Sequence, residues 1–181
     1  MVRITVLAVG LALGWWWFHQ DPSVSVVVSD GELRYPGYRL EVVESIEMGG
    51  RVLSRKNYHS GREAQLSPVD FALGWGRMAD PTIYQQLTIR QNNRWFTWHT
   101  DNMPIPRREL ERSAANVHLI PGSEQVQRQL ARVVAGDMVR LQGQLVDVFA
   151  EDGWRWKTSR TRNDTGKGAC EVLLVQKVIF G

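Results

Sequence analysis

Cysteine is almost absent from this chain, because Cys170 is the only one among 181 residues. A single thiol cannot form a disulfide within the chain, and it cannot supply the several cysteines of structural zinc or iron–sulfur sites. Histidine is also scarce, and the four histidines show neither H-x-H nor H-E-x-x-H spacing. The sequence therefore predicts no metal site and no cofactor.

The chain also lacks low-complexity tracts, repeats of fixed period and a large excess of either charge. Its 22 basic and 19 acidic residues give a formal charge of +3, and they are well mixed along the sequence. Mixed charge of this kind is typical of a solvated globular surface.

What the chain does have is a long apolar run at its amino terminus, from Ile4 to Phe18. At about 1.5 Å per residue a helix of this run reaches roughly 22 Å, which is shorter than the ~30 Å hydrocarbon core of a bilayer. The length alone therefore leaves a cleaved signal peptide open as an alternative.

Two features favour a retained anchor over a cleaved signal. The run ends in Trp15, Trp16 and Trp17, and indole rings favour the boundary between lipid and water. No clear small-residue cleavage site follows, and Arg3 can reach the cytoplasmic surface. We therefore expect residues 1–19 to be a single-pass inner-membrane anchor with its amino terminus in the cytoplasm.

This anchor predicts where the remainder of the chain lies. Residues 20–23 form a short polar linker, and residues 24–181 are long enough for a single globular domain with its own core. That domain is expected in the periplasm, where nucleic acid is not the expected partner. The expected partners are the membrane itself and an envelope protein or a polar ligand.

Most of the predicted domain consists of strand-like segments separated by turn signals. Gly49 and Gly50 are expected to close a hairpin, and Asp152–Gly153 another. Gly143 is expected to mark a bulge between two strands in residues 137–149. The predicted strands are 24–28, 32–35, 38–46, 51–53, 84–90, 94–100, 116–120, the pair within 137–149, 154–157 and 171–180.

Few helices are predicted. Ser67, followed by Pro68 and by Asp70 at the capping-box position, predicts a helix start. A weaker helix is expected from Arg107, and Ser123 should cap an amphipathic helix. The predicted class is α+β: an N-terminal transmembrane helix and a curled antiparallel sheet, OB-like or barrel-like, with two or three short helices.

Several phrases of the sequence carry a family resemblance. They are LSPVDFALGWG at 66–76, IPRRE at 105–109, SAANVHLIP at 113–121 and DTGKGACE at 164–171. With these phrases in this order, the chain resembles a family of uncharacterised bacterial membrane-anchored proteins over roughly residues 60–175. The resemblance implies an N-terminal hydrophobic segment and brings no established activity or site residues.

A second, local resemblance concerns residues 136–143, GDMVRLQG. This segment resembles a strand of thermonuclease-like OB barrels. In that family an acidic catalytic cluster follows, whereas Gln144, Leu145 and Val146 follow here. The resemblance therefore implies barrel architecture without nuclease activity.

The first functional hypothesis is a non-enzymatic module that binds a partner or ligand through an aromatic and polar face. Tryptophans would stack against the ligand, and polar side chains would anchor it. The simpler alternative for residues 154–157 is a strand with tryptophans inward and cations outward. The predicted binding residues are Trp75, Trp98, His99, Arg107, Asn116, His118, Trp154, Trp156 and Arg160.

The second hypothesis is a hydrolase centred on His118. Asp70 or Asp164 would orient the imidazole, and Cys170 or a water molecule would be the nucleophile. Cys170 lies beside an apolar strand, however, where burial would make a thiol inert. A third hypothesis, a structural assembly component, predicts a flat apolar patch without a pocket.

Overall fold

The computed structural model describes residues 26–29, 32–160 and 170–181. The predicted anchor with Arg3, Trp15, Trp16 and Trp17, and the predicted linker, lie outside these described residues. Within the described ranges, none of the helices has the length and apolar character needed to cross a membrane.

Strands dominate the described part of the chain, and the helices are short. The helices are α1 (Arg62–Leu66), α2 (Pro81–Tyr84), α3 (Arg107–Arg112) and α4 (Glu124–Arg132), with a 3-10 turn at Gly76–Ala79. The strands are β1 (Val27–Ser29), β2 (Glu32–Tyr35), β3 (Tyr38–Asn57), β4 (Val69–Gly74), β5 (Thr88–Asn92), β6 (Trp95–His99), β7 (Ala114–Pro121), β8 (Met138–Ala150), β9 (Arg155–Trp156) and β10 (Glu171–Phe180).

Five of these strands pair in a closed ring. The order is β3, β4, β7, β10 and β8, and β8 pairs back with β3. All the pairings in the ring are antiparallel except that of β7 with β10. The prediction of an α+β chain with a strand-rich, curled sheet and few helices is therefore confirmed.

The hairpin predicted at Gly49 and Gly50 is wrong, because β3 runs through both glycines without a turn. The first part of β3 pairs with β8, and from Arg51 onward it pairs with β4. A Cβ atom on Gly50 would lie 2.6 Å from the carbonyl oxygen of Gly74. The glycine therefore permits a close approach of two backbones inside the ring.

The helix predicted from Ser67 is also wrong, because residues Val69–Gly74 form strand β4. Phe71 and Leu73 point into the core, while Asp70 faces the opposite side. Both faces of β4 are buried, so tertiary packing outweighs the local capping signal. The helix lies just upstream instead, where α1 spans Arg62–Leu66.

Residues 138–150 form one strand, β8, rather than the predicted pair. A Cβ atom on Gly143 would overlap the carbonyl oxygen of Leu174 on the neighbouring strand, so this glycine marks a close contact. The helix predicted after Ser123 is confirmed, because the Ser123 side chain accepts a hydrogen bond from the Val126 amide at 3.2 Å.

Two apolar clusters position the candidate site. One fills the ring and includes Phe71, Leu119 and Leu141. The second lies between the outer face of the ring and residues 75–113, which connect β4 to β7 and are called the β4–β7 insertion here. Because this second cluster contains Met78 and Leu110 from the insertion, the insertion is packed onto the ring.

Candidate functional site

The β4–β7 insertion carries a hairpin, formed by β5 and β6, whose turn reaches the ring. Its two turn residues, Asn93 and Arg94, have positive φ angles of 48° and 66°. Positive φ angles at both central residues are typical of the two-residue turns that connect the strands of a β-hairpin. Asparagine adopts these angles at a lower cost than arginine does. The arginine is held there by contacts with the ring.

Arg94 enters a buried polar network whose centre is Asp70. A terminal nitrogen of Arg94 lies 2.7 Å from Oδ1 of Asp70, and Nδ1 of His118 lies 2.9 Å from Oδ2. Ser67 and Asn116 complete the network by donating hydrogen bonds to the same carboxylate at 3.3 and 3.4 Å. Asp70 is fully buried, so its charge is balanced inside the protein rather than by solvent.

Aromatic rings enclose this polar network. The guanidinium carbon of Arg94 lies 3.7 Å from the ring centroid of Tyr58 and 5.6 Å from that of Trp156. Trp156 also packs on His118, with 4.8 Å between ring centroids. Burial, reinforced by the negative charge of Asp70, raises the pKa of the Tyr58 hydroxyl above its usual value. The arrangement keeps water away from the Asp70 carboxylate.

The turn of the hairpin is fixed through its backbone as well. The Arg94 amide donates to the Tyr58 hydroxyl at 3.2 Å, and the Arg94 carbonyl oxygen accepts from Asn116 at 3.1 Å. The Cys170 thiol donates to the same carbonyl oxygen at 3.7 Å. Gln91 on β5 donates to the side-chain oxygen of Asn116 at 2.8 Å. The hairpin is therefore attached to β7 through Asn116, and to the segments next to β3 and β10 through Tyr58 and Cys170.

A cleft of about 560 Å³ opens beside this attachment, between the hairpin and β7. Strand β6 forms one side, and the start of β7 forms the other with Ala114, Ala115 and Asn116. Met103, Arg107, Glu111 and Cys170 complete the lining. The volume lies within the ~300–1,000 Å³ range of sites for small ligands or short peptide segments.

The cleft combines aromatic surface with charged groups. The guanidinium carbon of Arg107 lies 5.6 Å from the ring centroid of Trp98, and its Nε donates to Glu111 at 2.8 Å. His99 lies on the same side of the cleft as Trp98 and is exposed. Stacking surface and hydrogen-bond donors are thus available to one ligand.

The structure brings together part of the predicted site. Trp98, His99, Arg107 and Asn116 line the one cleft. His118 and Trp156 lie next to it in the polar network, to which Asn116 also belongs. Six of the nine predicted binding residues therefore form one continuous region.

The other three predicted residues lie outside the cleft and the Asp70 network. Trp154 packs against Tyr38 and against Trp156, with 5.9 and 6.1 Å between ring centroids, and Arg160 binds the Asp147 carboxylate at 2.7 Å. Trp75 follows β4, where its backbone amide donates to the carbonyl oxygen of Ser113 at 2.9 Å. None of the three lines the cleft between β6 and β7. Asp164, the alternative orienting acid, lies outside the described residues.

Sequence reasoning missed the central role of Arg94. The signal was an aspartate, Asp70, set among the apolar residues of β4, because a buried carboxylate requires a cationic or hydrogen-bonding partner. That requirement predicts a partner without identifying which of the 22 basic residues supplies it. Tyr58 was missed for the same reason, since it approaches Asp70 only in the fold.

A second cleft, of about 630 Å³, lies at the turn between β2 and β3. Phe149 lines this cleft, and the guanidinium carbons of Arg39 and Arg155 lie 4.6 and 5.7 Å from its ring centroid. It contains none of the nine predicted binding residues.

Within the described ranges, no group of three or more histidine, cysteine, aspartate or glutamate side chains is arranged to hold a metal ion. Comparison of the chain with protein-family models, with curated proteins and with solved structures found no match.

Proposed function

We propose that this chain is a membrane-anchored envelope protein whose periplasmic domain binds a partner protein or ligand without catalysing a reaction. Residues 1–19 would hold it in the inner membrane, and residues 24–181 would form the binding domain. The observation that carries the binding function is the cleft between β6 and β7, where Trp98 and Arg107 offer stacking and a charge beside each other.

The order of the ring strands supports the interpretation of the ring as an OB-type barrel. In such barrels the second and third strands and the flanking loops form the ligand face. The second and third ring strands here are β4 and β7, and that face carries Asp70 and His118. Arg94 from the insertion already fills it, so the ligand would bind in the cleft beside the filled face.

A hydrolase is the second candidate, favoured by the contact between Asp70 and His118. This pair has the geometry of an acid that orients a catalytic imidazole. Among the described residues, however, the hydrogen bonds of His118 reach Asp70 and no hydroxyl or thiol nucleophile. His118 is also only 3 % exposed, so a substrate would have little access to it.

The two candidates separate by covalent labelling. A hydrolase with Cys170 as its nucleophile should react with a vinyl-sulfone probe at Cys170 and lose that labelling in a His118→Gln variant. The binding module should show no labelling that depends on His118. His118-dependent labelling would therefore replace the binding function with the hydrolase.

Photo-cross-linking in intact cells tests the binding function itself. A benzophenone amino acid at Met103, which lines the cleft and is 44 % exposed, should form an adduct with a bound partner. The same amino acid at Arg128, exposed on α4 and away from the cleft, is the matched control. Adducts that are equal at both positions, or absent at Met103, would contradict the proposal.

A labelling experiment tests the compartment separately. In a Cys170→Ser background, Arg128→Cys places an exposed thiol on α4. A membrane-impermeant maleimide should label this thiol in intact spheroplasts. Labelling only after lysis would show that the domain faces the cytoplasm and would reverse the proposed orientation.

A further inference from the structure

We propose that the ligand of the cleft is an extended polypeptide segment of a partner protein, which adds to β6 as a third strand of the β5–β6 sheet. This inference rests on the proposed binding function and specifies its ligand. The bound segment would present an apolar side chain to Trp98 and an acidic side chain to Arg107.

The residues that line the cleft show that it runs along the edge of β6. Six consecutive residues, 95–100, line it. Side chains of a strand point alternately to opposite faces, so a pocket on one face would contact every second residue. A cleft that is lined by consecutive residues of a strand runs along the backbone edge of that strand.

The pairing register identifies the backbone groups on that edge. β5 and β6 pair through Asn92↔Trp95, Arg90↔Thr97 and Thr88↔His99, with a two-residue turn between them. In a hairpin with a two-residue turn, the pair that closes the turn is hydrogen-bonded, and the bonded pairs then alternate. The amide and carbonyl groups of Phe96 and Trp98 therefore point away from β5.

No strand among the described residues pairs with this second edge of β6, because β5 and β6 form a two-stranded sheet. An unpaired edge of this kind is a template for another extended chain, whose amide and carbonyl groups repeat at the same spacing. Sugars and nucleotides do not present that repeat. The edge therefore favours a polypeptide ligand.

The opposite side of the cleft leaves space for the added strand. β10 begins to pair with β7 at Glu171↔Val117, so residues 114–116 of β7 extend beyond it and pair with β4 alone among the described strands. Ala114 and Ala115 on this wall have small side chains, which leave space between the wall and β6. An apolar side chain of the ligand can pack between this wall and Trp98.

Charge at the rim favours an acidic side chain in the ligand. The Arg107 side chain is 73 % exposed. Among the described residues it forms a hydrogen bond only with Glu111, and this bond uses Nε. Its two terminal amino groups are available to a ligand carboxylate, with which arginine forms strong paired hydrogen bonds. Glu109, the nearest other acid on α3, is already paired with Arg77.

The hairpin is also rigid enough to act as a template. Its turn is attached to the ring through the ion pair of Arg94 with Asp70 and through the backbone bonds of Arg94. A preformed edge avoids the entropic cost of ordering the receptor strand on binding.

Selection of linear peptides tests the proposal. The full chain in detergent micelles is exposed to a phage-displayed library of random peptides of about seven residues, close to the length of a strand. Enriched peptides should combine an apolar and an acidic residue. Arg107→Glu should weaken their binding about tenfold and favour peptides with lysine in place of the acid, whereas Arg108→Glu, which does not line the cleft, should not.

Backbone methylation tests strand addition itself. N-methylation of the peptide should abolish binding at alternate residues and be tolerated at those between, since only every second amide faces β6. Binding should slow hydrogen exchange of the Phe96 and Trp98 amides, with little change at Thr97 and His99, which already pair with β5.

Three results would overturn strand addition. They are the absence of enriched peptides, a methylation pattern without alternation, and a self-association in which β6 pairs with β6 of a second copy. Each leaves the binding function standing if the Met103 adduct forms in cells. Loss of that adduct, with peptides still bound in the alternating pattern in vitro, would instead contradict the envelope function.

Discussion

The Asp70 carboxylate and the Arg94 guanidinium lie 2.7 Å apart, and they join a strand of the ring to the turn of the hairpin outside it. Asp70 is fully buried, and the Arg94 side chain is 16 % exposed. Through this pair the β4–β7 insertion is fixed against the ring, and the cleft between β6 and β7 is given its shape.

Removing the charge of Asp70 should therefore destabilise the fold. Asp70→Asn leaves Arg94 without its ionic partner, and breaking a buried pair in this way costs about 3–5 kcal/mol. Urea denaturation followed by circular dichroism measures the loss. Glu109→Gln, which breaks an exposed ion pair with Arg77, is the matched control and should change stability little.

A double-mutant cycle shows whether the loss belongs to this pair. Asp70→Asn combined with Arg94→Gln should cost clearly less than the sum of the two single changes, because each single variant already removes the contact. Additive losses would mean that the ion pair does not join the insertion to the ring.

Tyr35 provides a prediction on alkaline pH. Burial raises the pKa of its hydroxyl to about 12, whereas the unfolded chain has the usual value near 10. The protonated phenol is thus favoured in the fold, so its contribution is fully present below about pH 10 and is lost as the pH rises toward about 12.

The Tyr35→Phe variant isolates this effect. The wild type should lose about 2–3 kcal/mol more than the variant between about pH 8 and about pH 12, because phenylalanine has no group to titrate. Urea titrations of both proteins at the two pH values measure the difference. Equal losses would show that the Tyr35 hydroxyl is accessible to solvent in the fold.

Alanine substitutions at Gly143 and Gly49 test how closely β8 and β10 approach each other in the ring. Gly143→Ala would bring a methyl group onto the carbonyl oxygen of Leu174, so β8 and β10 would have to separate, at a cost of about 3 kcal/mol. At Gly49 the nearest atom would lie 3.7 Å away, an ordinary contact, and Gly49→Ala should be tolerated. Thermal unfolding of both variants checks the prediction, and similar melting temperatures would contradict the ring's close β8–β10 contact.

Local patterns predicted the outer elements of the fold well. The closing strand appears at Glu171–Phe180 as predicted, and the Ser123 cap begins α4. Both depend on short-range signals: a run of branched apolar residues, and a hydroxyl placed before an amphipathic segment.

The middle of the ring was mispredicted because its glycines and polar residues serve long-range contacts. Gly49 and Gly50 carry a turn signal, yet they lie inside β3 where it passes from β8 to β4. Ser67 carries a capping signal, yet its carbonyl oxygen and its hydroxyl both accept hydrogen bonds from Arg94, 27 residues further along the chain. In each case the deciding neighbour is distant in sequence, so a local pattern cannot identify it.

Only part of the candidate site was predicted, because the other part also depends on neighbours that are distant in sequence. Trp98, Arg107 and Asn116 were singled out by residue type, and they do line one cleft. Arg94 resembles any surface arginine in sequence, and only the fold brings it to Asp70. The membrane anchor, the periplasmic location and the family resemblance stay predictions.

The most direct test of whether the cleft holds the ligand is the yield of the Met103 photo-adduct in a variant whose cleft is blocked by a bulky side chain. Thr97 lines the cleft and is exposed, so Thr97→Trp places a bulky ring there, while Arg90→Trp places the same ring opposite it on β5, outside the lining. We predict that Thr97→Trp lowers the adduct about tenfold and that Arg90→Trp leaves it unchanged. Equal yields from the two variants would contradict ligand binding in the cleft.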